Sequence, residues 1–412
     1  MSIRNIIFNR LSLLGVLFLI LVGSTAVIAS QSECDSIESC TPLAESGDAE
    51  AQKNLGYIYF SGDGGPQDYA KAMKWLNIAA DVDNPGALFI LARAYRHGRG
   101  VEQDFQKALE LYKRAADLGH LNAMNDLGLI YENGEGVEKN VSLAAQLYAR
   151  AAEEDFPEAQ YNYALMFYNG KGVEQNYKKA LEYFRKAAIQ GVTKAQLNMG
   201  VFYYKGLANL NKNYDQAITW YNIAAKKGDR TAQKDLCYIL VFDEGYPQNL
   251  QRGVPLCREA AENGYAPAQY LYATILQQGN GVAKDVKKAF QWYKKAADQN
   301  HNPSIYQLAN FYLTGKGVTE NPDKALQLYT QAARQGYIKA QHKLGILYNI
   351  GKKGIAKDRV VAFAWITNAA LQGHKESISY RNYLLSTLSD KELDEGKKLA
   401  ESYYTQYVEP YQ

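Results

Sequence analysis

The sequence contains few of the residues that usually carry out chemistry, with only five histidines, four cysteines and ten prolines in 412 residues. The histidines do not cluster along the chain, and no His-Glu-x-x-His, Cys-x-x-Cys, Gly-x-Ser-x-Gly or Ser-x-x-Lys motif occurs. His120, His301 and His374 each follow a helix-ending position, and we interpret them as surface turn residues. We therefore expect a non-catalytic protein with no metal and no cofactor.

The chain also lacks a strong excess of charge of either sign. Its formal net charge is +3, and because Arg4 and Arg10 lie in a segment expected to be removed, the mature chain is close to neutral. This balance argues against a nucleic-acid partner. A hydrophobic fraction of 47% with 22% charged residues excludes both a disordered chain and a protein that crosses a membrane many times.

Only the N-terminus is strongly apolar. Residues 1–29 combine the basic residues Arg4 and Arg10, an apolar run over residues 11–22 and a cleavage-site region with small residues that ends at Ala29. This order predicts a cleaved signal peptide and a secreted or periplasmic protein with no membrane span after cleavage. The alternative is an uncleaved helix that holds the protein at a membrane, since residues 11–29 approach the length that spans a bilayer.

A unit of about 36 residues is repeated nine times over residues 49–374. Each unit has a small reference residue, followed four and eight residues later by large apolar groups, which is the spacing of one helix face. Position five of each unit is glycine, alanine or cysteine, which predicts close approach of a second helix. The reference residues are Ala51, Ala87, Ala123, Ala159, Ala195, Ala232, Ala268, Ser304 and Ala340.

Polar residues mark the two ends of the second helix in every unit. An Asp or Asn precedes it as a predicted N-cap, and Gly, Asp or Asn follows it at a position that requires left-handed backbone. Residues 30–48 match the end of a truncated preceding unit, and residues 375–412 predict two C-terminal capping helices, the second beginning near Ser389. The N-caps are Asp68, Asp104, Asn140, Asn176, Asn213, Asn249, Asp285, Asn321 and Asp358.

Units such as "NAMNDLGLIYENGEGVEKNVSLAAQLYARAAEEDF" resemble the Sel-one-like repeat, a relative of the tetratricopeptide repeat. The resemblance implies an all-α fold, a right-handed α/α superhelical solenoid of nine helix pairs. It also implies an exported adaptor that holds a protein or peptide ligand on its concave face.

Two alternatives remain open for the function. One is a cell-envelope enzyme acting on β-lactam or cell-wall substrates, because some cysteine-rich relatives are linked to that chemistry. Those relatives carry a disulfide in nearly every repeat, whereas this chain has one candidate pair within nine units. The other alternative is a purely structural assembly factor of the envelope.

Repeat six departs most from the pattern. It places Cys237 at the small position five and Cys257 at position twenty-five, which elsewhere holds mostly Tyr or Phe. If these positions face each other, Cys237 pairs with Cys257 and Cys34 with Cys40; the alternative is buried free thiols. Pro255 lies within the predicted second helix, so we expect that helix to start late, near Val254.

Positions two, three, six and nine lie opposite the packed face of the first helix. We predict that a subset of these side chains forms an aromatic and asparagine-bearing binding groove, since tyrosine and arginine are common at recognition surfaces. The alternative is that position two packs between repeats. The candidate partner-binding residues are Phe89, Arg93, Tyr161, Tyr168, Asn198, Tyr204, Tyr270 and Tyr306.

Overall fold

The computed structural model describes residues 34–351 and 354–411, so the predicted signal peptide lies outside the described residues. These residues form twenty-one α-helices and one short 3-10 helix, with no strand among them. The helices are α1 Ile37–Glu45, α2 Ala49–Ser61, α3 Tyr69–Asp81, α4 Pro85–His97, α5 Phe105–Asp117, α6 Leu121–Asn133, α7 Val141–Glu153, α8 Pro157–Asn169, α9 Tyr177–Ile189, α10 Thr193–Lys205, α11 Tyr214–Lys226, α12 Arg230–Val241, α13 Leu250–Glu262, α14 Ala266–Gln278, α15 Val286–Ala297, α16 Asn302–Thr314, α17 Pro322–Arg334, α18 Ile338–Ile350, α19 Arg359–Leu371, α20 Lys375–Thr387 and α21 Asp390–Tyr407.

The nine repeats are helix pairs, with the even-numbered helices α2 to α18 as first helices and the odd-numbered helices α3 to α19 as second helices. The described residues divide into two compact units between His120 and Leu121. Within each unit, a first helix packs against the second helix of its own repeat, and that second helix packs against the next first helix. Each helix therefore buries two sides, as stacked repeats require.

The predicted helix ends are confirmed. All nine N-cap side chains accept a hydrogen bond from a backbone N–H of the first helical turn, for example Asp68 from Lys71 at 3.0 Å and Asn140 from Leu143 at 2.9 Å. The nine positions that follow the second helices all have positive φ: Asp83, Gly119, Asp155, Gly191, Gly228, Gly264, Asn300, Gly336 and Gly373.

The small residue at position five lies where the paired helices come closest. A Cβ atom added to Gly128 would stand 2.6 Å from the ring of Tyr148, and one added to Gly56 would stand 2.7 Å from Leu76. Tyr148 and Leu76 occupy position twenty-five of their repeats and are fully buried. Glycine is therefore needed here for space, because its backbone is ordinary helix.

Repeat six confirms the pairing of positions five and twenty-five and corrects the prediction about Pro255. Cys237 and Cys257 form a disulfide, as do Cys34 and Cys40. The second helix α13 begins at Leu250, so Pro255 lies inside it and the predicted late start is wrong. Pro255 and Gln251 are both exposed, so water can reach the carbonyl group that the proline leaves without a partner.

The C-terminal helices begin where the sequence predicts but do not form a tenth pair. Ser389 is the N-cap of α21 in a capping box with Glu392. α21 packs against the second helix α19 and touches α17, and α20 also packs against α19. No helix of the described residues has both the length and the hydropathy needed to cross a membrane.

Candidate functional site

The aromatic residues predicted at position two share one environment. Phe89, Tyr161, Tyr270 and Tyr306 are half-buried, and the ring of each contacts the aromatic residue at position twenty-five of its own repeat. The ring centroids of these four pairs are 5.5 to 6.1 Å apart. Much of each side chain therefore serves packing within its own repeat, whereas the alternative interpretation of position two expects packing between repeats.

A second contact holds two of these four rings against the histidine that ends their repeat. Phe89 stacks on His120 at 4.7 Å, and Tyr270 lies 5.5 Å from His301, both measured between ring centroids. The interpretation of these histidines as surface turn residues is wrong, because each is half-buried against the aromatic residue of its repeat. Burial lowers the pKa of both histidines, so burial favours their neutral form.

The predicted residues of repeats four and five are partly buried as well. Tyr168 lies among the rings of Tyr177 and Phe202, with centroids 5.4 and 5.8 Å away. Burial raises the pKa of Tyr161, and a hydrogen bond with Asn198 opposes that rise. The Asn198 Nδ2 also donates to the Lys194 carbonyl oxygen at 2.9 Å.

Tyr204 belongs to a hydrogen-bonded cluster in the loop of repeat six. Its hydroxyl donates to Asp243 Oδ2 at 2.5 Å, and the Tyr214 hydroxyl donates to Asp243 Oδ1 at 3.1 Å. Burial and the nearby Asp243 carboxylate raise the pKa of Tyr204. The structure therefore gives Tyr204 a role in holding this loop.

Three of the nine first helices carry an exposed large side chain at position six. These side chains are Tyr57 and Arg93 in the N-terminal unit and Tyr238 in the other unit, with Tyr57 46% and Tyr238 41% exposed. The Arg93 guanidinium lies 5.7 Å from the centroid of Phe89. Tyr383, at position six of α20, is 52% exposed. The candidate list omitted Tyr57, Tyr238 and Tyr383, although position six alone would have selected them.

Two histidines that are distant in the sequence meet at the C-terminal end. Ser377 Oγ lies 2.8 Å from Nδ1 of His342 and 2.8 Å from Nδ1 of His374, and the two imidazole rings are 4.7 Å apart. The expectation that the histidines do not cluster is therefore wrong for this pair, in which His342 lies on α18 and His374 is the N-cap of α20. His374 Nδ1 accepts from the Ser377 N–H at 3.2 Å and so caps α20.

This arrangement resembles a nucleophile beside a base but lacks access. Ser377 is fully buried, as is Ser304, whose Oγ lies 2.9 Å from His301 Nδ1. A serine nucleophile must reach a substrate carbonyl, which neither hydroxyl can do in this conformation. Among residues 34–351 and 354–411, no group of three or more His, Cys, Asp or Glu could hold a metal ion.

The repeat matches a known family of repeats. The model described as Sel1 repeat matches nine consecutive segments: residues 49–84, 85–120, 121–156, 157–192, 193–229, 231–265, 266–301, 302–337 and 338–374. A comparison with curated proteins found no match.

Two solved structures are similar along most of the chain. One is a protective antigen of uropathogenic Escherichia coli with an SLR fold, which is 32% identical with a TM-score of 0.78 over 91% of this chain and 80% of that chain. The other is a Sel1 repeat protein from Oxalobacter formigenes, 27% identical with a TM-score of 0.60 over 80% of this chain and 93% of that chain.

Proposed function

Because this chain belongs to the Sel1 repeat family, we propose that it is an exported, non-catalytic scaffold that binds a protein or peptide on the surface of its first helices. The observation that carries the proposal is the exposure of Tyr57, Arg93 and Tyr238 at one repeat position. Tyrosine and arginine supply large contact areas and hydrogen bonds at recognition surfaces. Stacked helix pairs also offer extended binding surfaces in other repeat proteins.

The half-buried residues contribute to this surface in a different way. Phe89, Tyr161, Tyr270 and Tyr306 are held by neighbouring rings, so their exposed edges are fixed before a ligand arrives. A fixed side chain loses little conformational entropy on binding. Taken separately, each unit therefore combines exposed position-six side chains with a rigid aromatic floor at position two: Tyr57 and Arg93 with Phe89 in the N-terminal unit, and Tyr238 with Tyr161, Tyr270 and Tyr306 in the other.

Two features support export and the absence of catalysis. Disulfides persist in oxidising compartments, and this chain has Cys34 bonded to Cys40 and Cys237 bonded to Cys257. The serines closest to histidine are fully buried, which supports a role in packing.

The test compares captured partners between matched variants. Immobilised residues 30–412 are incubated with the envelope and secreted proteins of the native host, and bound proteins are quantified by mass spectrometry. The Arg93→Ala and Tyr238→Ala variants should lose a partner that wild type retains, because removing a binding hot spot costs about 2 kcal/mol or more. Ile189→Ala is the control, since Ile189 is 73% exposed on the second helix α9.

Two results would count against the proposal. Equal capture by wild type, Arg93→Ala and Tyr238→Ala would show that the position-six side chains do not bind the partner. Turnover of a chromogenic cephalosporin by the purified protein would favour the enzyme alternative.

A further inference from the structure

The helix α20 is a first helix without a second helix of its own. In all nine repeats position one is buried, whereas Ile378 at position one of α20 is 37% exposed. Leu385 at position eight is 40% exposed, although the equivalent Leu240 and Leu276 are buried. Positions one, four, five and eight share one side of a helix. The side of α20 that a second helix would cover is therefore open.

The open side of α20 forms one wall of a groove of about 540 Å³. α19 supplies Phe363, Thr367 and Leu371, and Leu371 is 56% exposed. α21 forms the remaining wall, and its packing against α19 leaves the groove unfilled. The groove thus has three helical walls, and it lies where the second helix of a tenth repeat would pack.

The groove is lined by two cations, Arg381 and Lys397, and by one anion, Glu401. Arg381 occupies position four of α20, where most repeats have a buried leucine or methionine, and its Nε is buried with no hydrogen-bond partner. Among the described residues, Arg381 has no ion pair, and the neighbouring Thr367 Oγ1 is also buried without a partner. Arg381 as a whole is half-buried, but a buried N–H group such as its Nε is costly unless an acceptor meets it, and a carboxylate fits the paired N–H groups of a guanidinium.

We propose that this groove binds an amphipathic α-helix of a partner protein, with an acidic side chain directed at Arg381. The apolar side of the helix packs on Leu371 and Leu385, and its carboxylate accepts from the Arg381 guanidinium. The bound helix completes the unpaired repeat, so recognition uses the helix-in-groove mode. This site is separate from the first-helix surface proposed above and does not depend on it.

The probes are the nine second helices of this chain, because each already fills the equivalent place in its own repeat. Each is made as a fluorescent, hydrocarbon-stapled peptide with its cap residues, since helices this short are unstable alone. Each has a matched version with Gln and Asn in place of Glu and Asp. Binding to residues 30–412 is measured by fluorescence anisotropy, and circular dichroism confirms that every protein variant is folded.

We expect at least one acidic peptide to bind with a micromolar dissociation constant. Leu385→Glu should weaken it at least tenfold, whereas Ile189→Glu, the same change at an exposed residue of α9, should not. Arg381→Met should weaken the acidic peptide about tenfold but leave its Gln and Asn version unchanged. If Leu385→Glu is unfolded, Leu385→Ala replaces it, with a smaller loss expected.

Several outcomes would overturn the proposal. One is that none of the nine peptides binds with a dissociation constant below 1 mM. Another is that neither Leu385 variant weakens binding. A third is that Arg381→Met weakens the binding of the acidic and the neutral peptides equally. Self-association of the purified protein that Leu385→Glu abolishes would assign the groove to a second copy instead. Arg381-dependent binding of laurate without peptide binding would assign it to an anionic amphiphile.

Discussion

Repeat three, residues 121–156, and repeat six, residues 231–265, build the same helix contact from different residues. In repeat three, Gly128 leaves space for the ring of Tyr148, whose hydroxyl donates to Glu132 Oε2 at 3.1 Å. In repeat six, the same two positions are the bonded cysteines Cys237 and Cys257, with Cα atoms 5.0 Å apart. Steric fit and a covalent bond are thus interchangeable at this point of the repeat.

The loops that join the two helices of each repeat are also held by different means in repeats three and six. In repeat three, Gly134 and Gly136 turn the chain with φ of +76° and +68°. Residues 242–249 of repeat six, all described by the structure, have no positive φ. There Asp243 holds the turn by accepting hydrogen bonds from Tyr204, Tyr214 and the Gly245 N–H. Repeat six therefore replaces backbone freedom with side-chain bonds.

Removing the disulfide of repeat six should have the largest effect. Cys237→Ala with Cys257→Ala opens a link with a sequence separation of 20. On the chain-entropy model this costs about 3 kcal/mol of unfolding free energy. Cys34→Ala with Cys40→Ala is the control, since its separation of 6 predicts about 2 kcal/mol on the same model. Denaturant unfolding measures both, and recovery of Cys237 and Cys257 as free thiols from native protein would contradict the premise.

Filling the space at Gly128 should have the next largest effect. Gly128→Leu would drive a side chain into the Tyr148 ring, and overpacking of this kind costs about 1 to 3 kcal/mol. Gly128→Ala should cost less, because Ala273 already faces Tyr293 in repeat seven and alanine favours the helix by about 1 kcal/mol. An unchanged melting temperature for Gly128→Leu would show that the helices are farther apart than in the structure.

The sequence predicts these contacts because they recur at fixed positions. Each repeat has a small residue at position five, an N-cap and a left-handed position, and each of these residues meets a local need for space, a hydrogen bond or a backbone conformation. The cysteine pair follows from the same repeat positions. Features outside the repeat register were not predictable in this way. α21 packs on α19 through Tyr403 and Trp365, with ring centroids 4.4 Å apart, although its sequence suggests only a charged terminal helix.

The candidate site was harder to predict than the fold. Helical spacing assigned Tyr161 and Tyr270 to the exposed side, but it does not show how deeply the neighbouring second helix covers them. The pairing of His342 with His374 depends on the distance between α18 and the start of α20 and on the small Ser377 that lies near both rings. Such contacts depend on distances between helices, which a single sequence does not specify.

A smaller effect is expected in the loop of repeat three. Gly134→Ala places a Cβ on a left-handed residue, 3.3 Å from the Cβ of Lys139, and should cost about 1 kcal/mol. Gly134→Asn should cost less, because asparagine tolerates left-handed backbone better than alanine. Thermal unfolding compares the two variants. Equal melting temperatures for wild type and Gly134→Ala would mean that the loop adopts another backbone in solution.

The smallest effect concerns Asp243 and depends on pH. Burial raises the pKa of the Asp243 carboxyl. Hydrogen bonds from Tyr204, the Gly245 N–H and Tyr214 lower it by a larger amount, so the net pKa shift is downward. A lowered pKa in the folded state means that the ionised carboxylate stabilises the fold above the ordinary Asp pKa of about 3.9. This contribution is lost as the pH falls through the lower folded value.

Asp243→Asn should therefore lower the melting temperature at pH 7, by less than the change at Gly134, and the difference from wild type should shrink below about pH 4. Subtracting the two melting curves at each pH removes the general effect of acid on the rest of the chain. Glu138→Gln, in the corresponding loop of repeat three, is the control for loss of one negative charge. A wild-type advantage that stays constant from pH 7 to pH 3 would show that Asp243 acts through its shape, and the charge of its carboxylate would then not be what holds the loop of repeat six.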